Sequence, residues 1–164
     1  MAYDVSAMPS HDKRANYAPR ISNRKALHEF HIEGKLECGI VLVGSEVKSL
    51  RLGKANLQEA FARVDGNELV LYEAHIDPYD QASHYNHLPN RERRLLAHKR
   101  EIKKLANATA EKGTTLIPLA MYFKDGKVKV EIAVARGKQA HDKRASIREK
   151  EMAKDVRRQM TKRQ

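Results

Sequence analysis

Tryptophan is absent from this 164-residue chain, cysteine occurs once, and aromatic residues make up only 5%. Each shortage excludes something. A lone Cys38 cannot form an internal disulfide or supply a multi-cysteine zinc site. Apolar runs are short: Gly39 to Gly44 falls far below the roughly 20 residues that span a bilayer. The first 20 residues lack the continuous apolar stretch of a secretory signal. So few aromatics also argue against a binder that stacks many bases of a single strand. The expectation is a soluble cytoplasmic protein with no membrane partner.

What is abundant is positive charge. Lys and Arg total 32 against 21 Asp and Glu, a formal net charge of +11, which implies an anionic partner. The excess is unevenly placed. Residues 138–164 hold ten basic and four acidic side chains and contain no Gly, Pro, Phe or Tyr. Residues 25–137 hold 18 basic and 15 acidic, an ordinary balance for a folded domain. Three segments follow: a flexible N-terminal stretch over 1–20 with Pro9 and Pro19, a folded body over 21–137, and a basic tail over 138–164.

Strand signals dominate the body. Leu36 to Val43 is a short β-rich run in which Cys38 and Gly39 fit a bulge or a close backbone approach. Phe61–Val64 and Leu69–Tyr72 flank Asp65-Gly66-Asn67, and Leu116–Phe123 and Lys127–Val134 flank Asp125-Gly126; both read as hairpins. In the last run Val128, Val130, Ile132 and Val134 alternate with Lys127, Lys129, Glu131 and Ala133, one set facing a core and the other solvent. Helices are fewer. Ser45 to Leu52 is a short one with Val47 and either Leu50 or Leu52 inward. Asn90 is placed to cap a longer one from Arg91 towards Ala110, with Leu95, His98, Ile102, Leu105 and Ala106 on one face. The pattern is mainly β with helices: an OB-type antiparallel barrel with helices at its ends, although other small β-barrels share it.

The tail has good helix formers and a thin stripe at Met152, Val156 and Met160, too weak to hold a helix alone in water. It is expected to be disordered in isolation and helical on an anionic surface, reaching roughly 40 Å at 1.5 Å per residue.

Reactive motifs are scarce. His28 with His31, and His84 with His87, lie three apart, but neither pair has carboxylates or cysteines at metal-ligand spacing. His28 and His31 sit in a strand-like pattern that would point them to opposite faces. Cys38 lies in an apolar strand and reads as a core thiol. Phosphate-loop, dinucleotide and serine-elbow motifs are missing. No metal and no cofactor is expected. A small RNA-processing enzyme and a ribosome-associated basic protein remain the alternatives to an RNA binder.

An RNA can be held by cationic grooves and a few platforms. Lys25, His28, Lys48, Arg51, Lys54, Lys129 and Arg136 supply the cations, and Tyr72, Tyr79, Tyr85 and Tyr122 are the candidate platforms. Here the motifs become specific. N-R-K-A-x-H-E-F from Asn23, G-x-E-V-K-S-L-R from Gly44, G-K-A-N-L from Gly53, H-I-x-P-Y from His75 and G-K-x-x-H-D-K-R from Gly137 follow in order, with a looser run from Asn86 to Ile102. Together they resemble the SmpB family, protein partners of transfer-messenger RNA in bacterial trans-translation.

The resemblance implies a barrel that grips the tRNA-like domain of that RNA and a tail that enters a stalled ribosome. There the tail lies in the decoding site of the small subunit, against 16S RNA, and in the vacant messenger channel. It implies a monomer that performs no covalent chemistry. Asn23, His28, Glu37 and Lys129 match the family's RNA-binding positions. Glu37 is the odd one: it would accept hydrogen bonds from base amines, hold neighbouring cations, or merely be a solvent-exposed strand carboxylate. Gly137, Lys138, His141, Asp142, Lys143 and Arg144 match the hinge and start of the tail, with Arg148 and Met160 further along it. The tail departs from the family at Met152, where an aromatic is common, and at Gln159, where an aliphatic is common.

Overall fold

Alternating inward and outward side chains, two tight glycine turns and one strand that the helical periodicity concealed together close a barrel. The computed structural model describes residues 18–82, 85–138, 147–149 and 151–154. Its elements run β1 (Ile21–Ser22), α1 (Arg24–Glu29), β2 (Phe30–Ile40), α2 (Gly44–Arg51), β3 (Ala55–Asn56), β4 (Phe61–Asp65), β5 (Glu68–Tyr72), β6 (His75–Ile76), β7 (Arg93–Leu96), α3 (Lys99–Thr109), β8 (Thr114–Lys124) and β9 (Lys127–Gly137). Hydrogen-bonded neighbours follow the order β8-β4-β5-β7-β2-β9, and β9 pairs back onto β8, so the ring closes as an antiparallel barrel of the OB type. β1 adds to β8 outside the ring, and β3 pairs with β6 separately. Closure satisfies strand edges that would otherwise pair with other chains.

Both hairpins form where the sequence places them. Lys124 pairs with Lys127 across Asp125-Gly126, whose φ values of 50° and 73° suit a two-residue turn matching the strand twist. Asp65 pairs with Glu68 across Gly66-Asn67. Leu69, Leu71, Leu95, Leu116, Met121, Val130 and Ile132 fill the interior, with Cys38 fully buried among them. Gly39 packs so closely on β7 that a Cβ there would lie 3.2 Å from Leu96 Cβ, the anticipated close approach. The bulge lies elsewhere in β2, between Ile32 and Gly34.

Several expectations need correcting. Residues 91–98 are not the first turns of a helix: Arg93 to Leu96 are β7, threaded between β5 and β2. Arg93 and Leu95 point inward and Arg94 and Leu96 outward, a period of two that the three- and four-residue steps obscured. The helix begins after His98, whose backbone N–H donates to the Glu101 carboxylate at 2.8 Å. Asn90 caps nothing; its Oδ1 lies 2.7 Å from His75 Nδ1. In α2, Leu50 is the inward leucine and Leu52 is exposed, but Glu46 and Ser49 are also buried. β9 is not half-solvated along its whole length. Ala133 and Ala135 pack with Ala26 of α1, Ile117 and Leu119 in a second apolar cluster outside the barrel core. His28 is helical rather than strand-like, so the opposite-face argument for His28 and His31 does not apply.

Candidate nucleic-acid interface

The outer wall of the barrel brings its chemistry together by register. On β2, Glu37 pairs with Glu131 of β9, and Gly39 with Lys129. Across the next seam Ala120 pairs with Glu131 and Tyr122 with Lys129. Glu37, Lys129, Glu131 and Tyr122 therefore share one face. Two carboxylates directly opposite would repel, and the neighbouring cations answer this. Lys35 Nζ reaches Glu131 at 3.0 Å and the Arg20 guanidinium reaches it at 2.8 Å. Lys124 Nζ lies 3.0 Å from Glu37.

Glu37 is thus a node rather than an isolated acid. The Tyr122 hydroxyl donates to it at 2.5 Å. That hydrogen bond and the one from Lys124 hold its carboxyl below the usual range, with Lys129 adding to the effect. The same hydrogen bond pushes the Tyr122 phenol up to about 12, so it remains a donor at neutral pH. Arg20 lies over the Tyr122 ring, 4.5 Å from its centroid. The wall can offer ammonium and guanidinium groups to phosphates, and carboxylate oxygens to hydroxyl or amine donors.

Lys129 also borders an open groove of about 490 Å³ lined by Ile40, Leu42, Val47 and Leu96. Leu96 is 52% exposed beside it. Val47 belongs to α2, whose cations use aromatic faces as rests: Lys48 over Tyr79 at 5.2 Å and Arg51 over Phe123 at 5.8 Å. Lys54 instead pairs with Asp80 at 2.6 Å.

A second grouping lies where the tail begins. Gly137 pairs with Phe30, the Lys138 N–H donates to Glu29 O, and Lys138 Nζ lies 3.3 Å from Leu27 O. The chain therefore leaves the barrel against the last turn of α1, which carries His28. Arg136 sits between Glu111 at 3.0 Å and Glu33 at 3.4 Å, and Lys25 pairs with Glu59 at 2.9 Å. Arg148 is exposed. His84, His141, Asp142, Lys143, Arg144 and Met160 lie outside the described residues, as does most of the tail, while its described residues 147–149 and 151–154 are helical.

Asn23 is buried, not on the barrel surface. It is 2% exposed: its Nδ2 donates to Leu57 O at 2.8 Å and Pro118 O at 3.2 Å, and its Oδ1 accepts from the Ala26 N–H that starts α1. Both Nδ2 hydrogens are used and Oδ1 accepts once, so Asn23 positions α1 on the barrel. An Asn23→Ala variant is expected to lose about 2–4 kcal/mol, from the missing cap and two stranded carbonyls. A shift of the urea midpoint at constant slope would measure it.

The remaining candidates are structural or unremarkable in placement. Cys38 is fully buried, and burial pushes its thiol up to about 11, far from a nucleophile at neutral pH. His87 is buried between the Ser45 hydroxyl at 2.9 Å and Ile76 O at 3.0 Å. Tyr72 stacks on Phe61 and bonds Asp65, whereas Tyr85 is 94% exposed. Among the described residues no three His, Cys, Asp or Glu side chains converge as metal ligands would, and no helix is long and apolar enough to cross a membrane. Sequence reasoning missed Arg20, Lys35, Lys124 and Glu131 as members of the wall. The alternation of β9 already set Glu131 beside Lys129 on its outward face, but which strands flank β9 is a tertiary fact.

The wall and tail root fall inside one family description. The model of the SmpB protein family matches residues 20–162. The chain belongs to the SmpB family. The SsrA-binding protein of Desulforamulus reducens is 53% identical over 143 residues, covering 87% of this chain and 89% of its own length. That of Acidothermus cellulolyticus is 50% identical over 142 residues, covering 87% and 89%. A solved structure described as "tmRNA-SmpB: a journey to the center of the bacterial ribosome" contains a chain 45% identical, with a TM-score of 0.65 over 75% of this chain and 87% of that one. The SmpB match extends past Gly137 into the basic segment, so the family shares both parts.

Proposed function

We propose that this chain is the RNA-binding adaptor of ribosome rescue: it binds the tRNA-like domain of transfer-messenger RNA and delivers it to stalled ribosomes. The basic segment from residue 138 onward then occupies the decoding site and empty messenger channel. The observation that carries this reading is the family match over residues 20–162, unbroken through barrel and basic segment. On the wall, Glu37 orients Tyr122 and Lys124 toward the RNA while Lys129, Lys48 and Arg51 meet its phosphates. Lys25, His28 and Arg136 extend this contact along α1, and Asn23 holds α1 in place. In the tail, Gly137 and Lys138 set the exit direction. His141 contacts a decoding base, and Lys143, Arg144 and Arg148 contact ribosomal phosphates. Asp142 lies between His141 and these cations, and Met160 supplies apolar surface in the channel. The protein works in the cytoplasm as a monomer, without cofactor and without covalent chemistry of its own.

The test is the RNA that co-purifies with the full chain. One abundant tRNA-like species is expected. An unselective RNA mixture, or steady RNA hydrolysis that vanishes on replacing a carboxylate or histidine, would reject the reading. A further expectation concerns Lys143→Ala with Arg144→Ala. Ribosome association should weaken, and the slope of log affinity against log salt should fall by about 1–2 because fewer counterions are released. An unchanged slope would show that neither cation touches a phosphate.

A further inference from the structure

Glu131 is an acid in an awkward place for a surface that receives phosphates. It lies opposite Glu37 of β2, on the face shared with Lys129, and its side chain is only 19% exposed. The hydrogen bond from Lys35, with that from Arg20, holds its carboxyl below the ordinary value despite burial, so it is charged at neutral pH. Its charge is therefore answered by cations rather than by protonation. Lys35 of β2 answers at 3.0 Å. Arg20 answers at 2.8 Å, and it comes from outside the barrel ring.

The chain on either side fixes Arg20 in that place. β1 pairs with β8 through Ile21 with Met121 and Ser22 with Ala120, a register that brings the preceding residue alongside Tyr122. The Asn23 N–H then donates to Leu119 O at 2.8 Å and anchors the far end of the strand. On the near end Pro19 packs on the turn after α2. A Cβ at Gly53, where φ is 73°, would lie 2.8 Å from Pro19 Cγ. Held between these anchors, the Arg20 guanidinium rests 4.5 Å from the Tyr122 centroid. A planar guanidinium can lie on a ring and donate to a carboxylate at once, which a lysine ammonium does less well.

We infer that Arg20 is a positioning residue for RNA binding: seated on Tyr122, it neutralises Glu131 so that Lys129 meets phosphate without an opposing acid beside it. It acts through Glu131 and is not itself a phosphate ligand. The inference rests on the adaptor reading above. Glu37 and Glu131 stand among four cations, Arg20, Lys35, Lys124 and Lys129, so losing Arg20 halves the net charge of the group. The last residue of the N-terminal stretch thereby belongs to the RNA-binding apparatus.

The test is a double-variant cycle on affinity for the isolated tRNA-like RNA, made in the full chain. Arg20→Gln should weaken binding about fivefold at moderate salt. Its melting temperature should move by only a few degrees, since a half-exposed ion pair holds little stability. Glu131→Gln alone should change affinity by less than about twofold, because its charge is already neutralised. The two together should return to within about twofold of the unsubstituted chain, a coupling that independent sites do not show. Arg20→Gln with Glu68→Gln has the same net charge as that double variant, with the acid removed on β5 beside Arg94. It should stay as weak as Arg20→Gln alone. Unchanged affinity in Arg20→Gln overturns the inference. A double variant with Glu131→Gln that is no better than Arg20→Gln also overturns it, by making Arg20 a phosphate contact in its own right. Equal rescue by Glu68→Gln overturns it as an effect of bulk charge. Failure of the unsubstituted chain to bind tRNA-like RNA would instead refute the adaptor reading itself.

Discussion

A chain ending after Arg136 should bind the isolated tRNA-like RNA within a few-fold of the full chain and support no peptide tagging at all. The barrel accounts for the first half. β9 is paired on both sides, to β2 and to β8, and the cut removes only its final pair, Gly137 with Phe30, together with the two Lys138 bonds to the end of α1. Lys35, Glu37, Tyr122, Lys124, Lys129 and Glu131, the groove by Leu96 and the α2 cations all remain. The second half follows from charge. The lost segment carries ten basic and four acidic side chains, and in the proposed function it alone enters the messenger channel. Filter binding to the RNA and a tagging reaction on stalled ribosomes separate the two. Parallel collapse of both activities would mean that the barrel does not hold the RNA unaided.

The largest stability effect is expected at Glu46. Its carboxylate is fully buried and accepts from Arg93 Nε at 2.8 Å, Arg91 Nε at 2.7 Å and the Val43 amide at 2.8 Å. Arg93 is fully buried too and donates onward to the Arg91 and Pro89 carbonyls, each at 2.9 Å. One acid thus ties the start of α2 to β7 and to the loop before it. Glu46→Gln leaves two guanidinium groups without their counter-charge, and losing one partner of a buried pair costs about 3–5 kcal/mol. That is a large share of the about 5–15 kcal/mol that holds a domain folded. Urea unfolding measures it. A double variant with Arg93→Met should be less destabilised than the two single effects added together, because the stranded charge is gone.

The pH dependence has a definite sign. Burial alone would raise the Glu46 carboxyl, but the hydrogen bonds from Arg91, Val43 and Arg93 outweigh it and hold the group below its ordinary value. A carboxyl depressed in the folded state contributes stability that is present above its unfolded pKa, near 4.3, and lost as pH falls through the folded one. Unfolding below about pH 4 should therefore be less steep with pH in Glu46→Gln than in the unsubstituted protein.

Much of the fold was visible in one dimension. Asp65-Gly66 and Asp125-Gly126 declare tight turns, because an aspartate-glycine pair tolerates positive φ at little cost, and the alternation of β9 declares a pleated, half-buried strand. The basic segment declares itself by composition. β7 was hidden, because Leu95, Ile102 and Leu105 also satisfy a helical spacing. Only the partners waiting on β5 and β2, and the buried Glu46 beneath Arg93, select the extended form. Asn23 is a related case: its motif does not reveal the bonds to Leu57 O and Pro118 O, or the cap on the Ala26 N–H, that bury it.

By itself, then, the order of residues determined the turns, the alternating strands, the charge segregated at one end and the motif set of the SmpB family. These are local properties, set by φ preferences, side-chain period and composition. The three-dimensional structure decided which cations have carboxylate partners and which do not, which acid is buried, and which distant residues share a face. Such facts depend on strand register and barrel closure, which bring Glu37 to Tyr122 across 85 positions of chain and which no short window of sequence encodes.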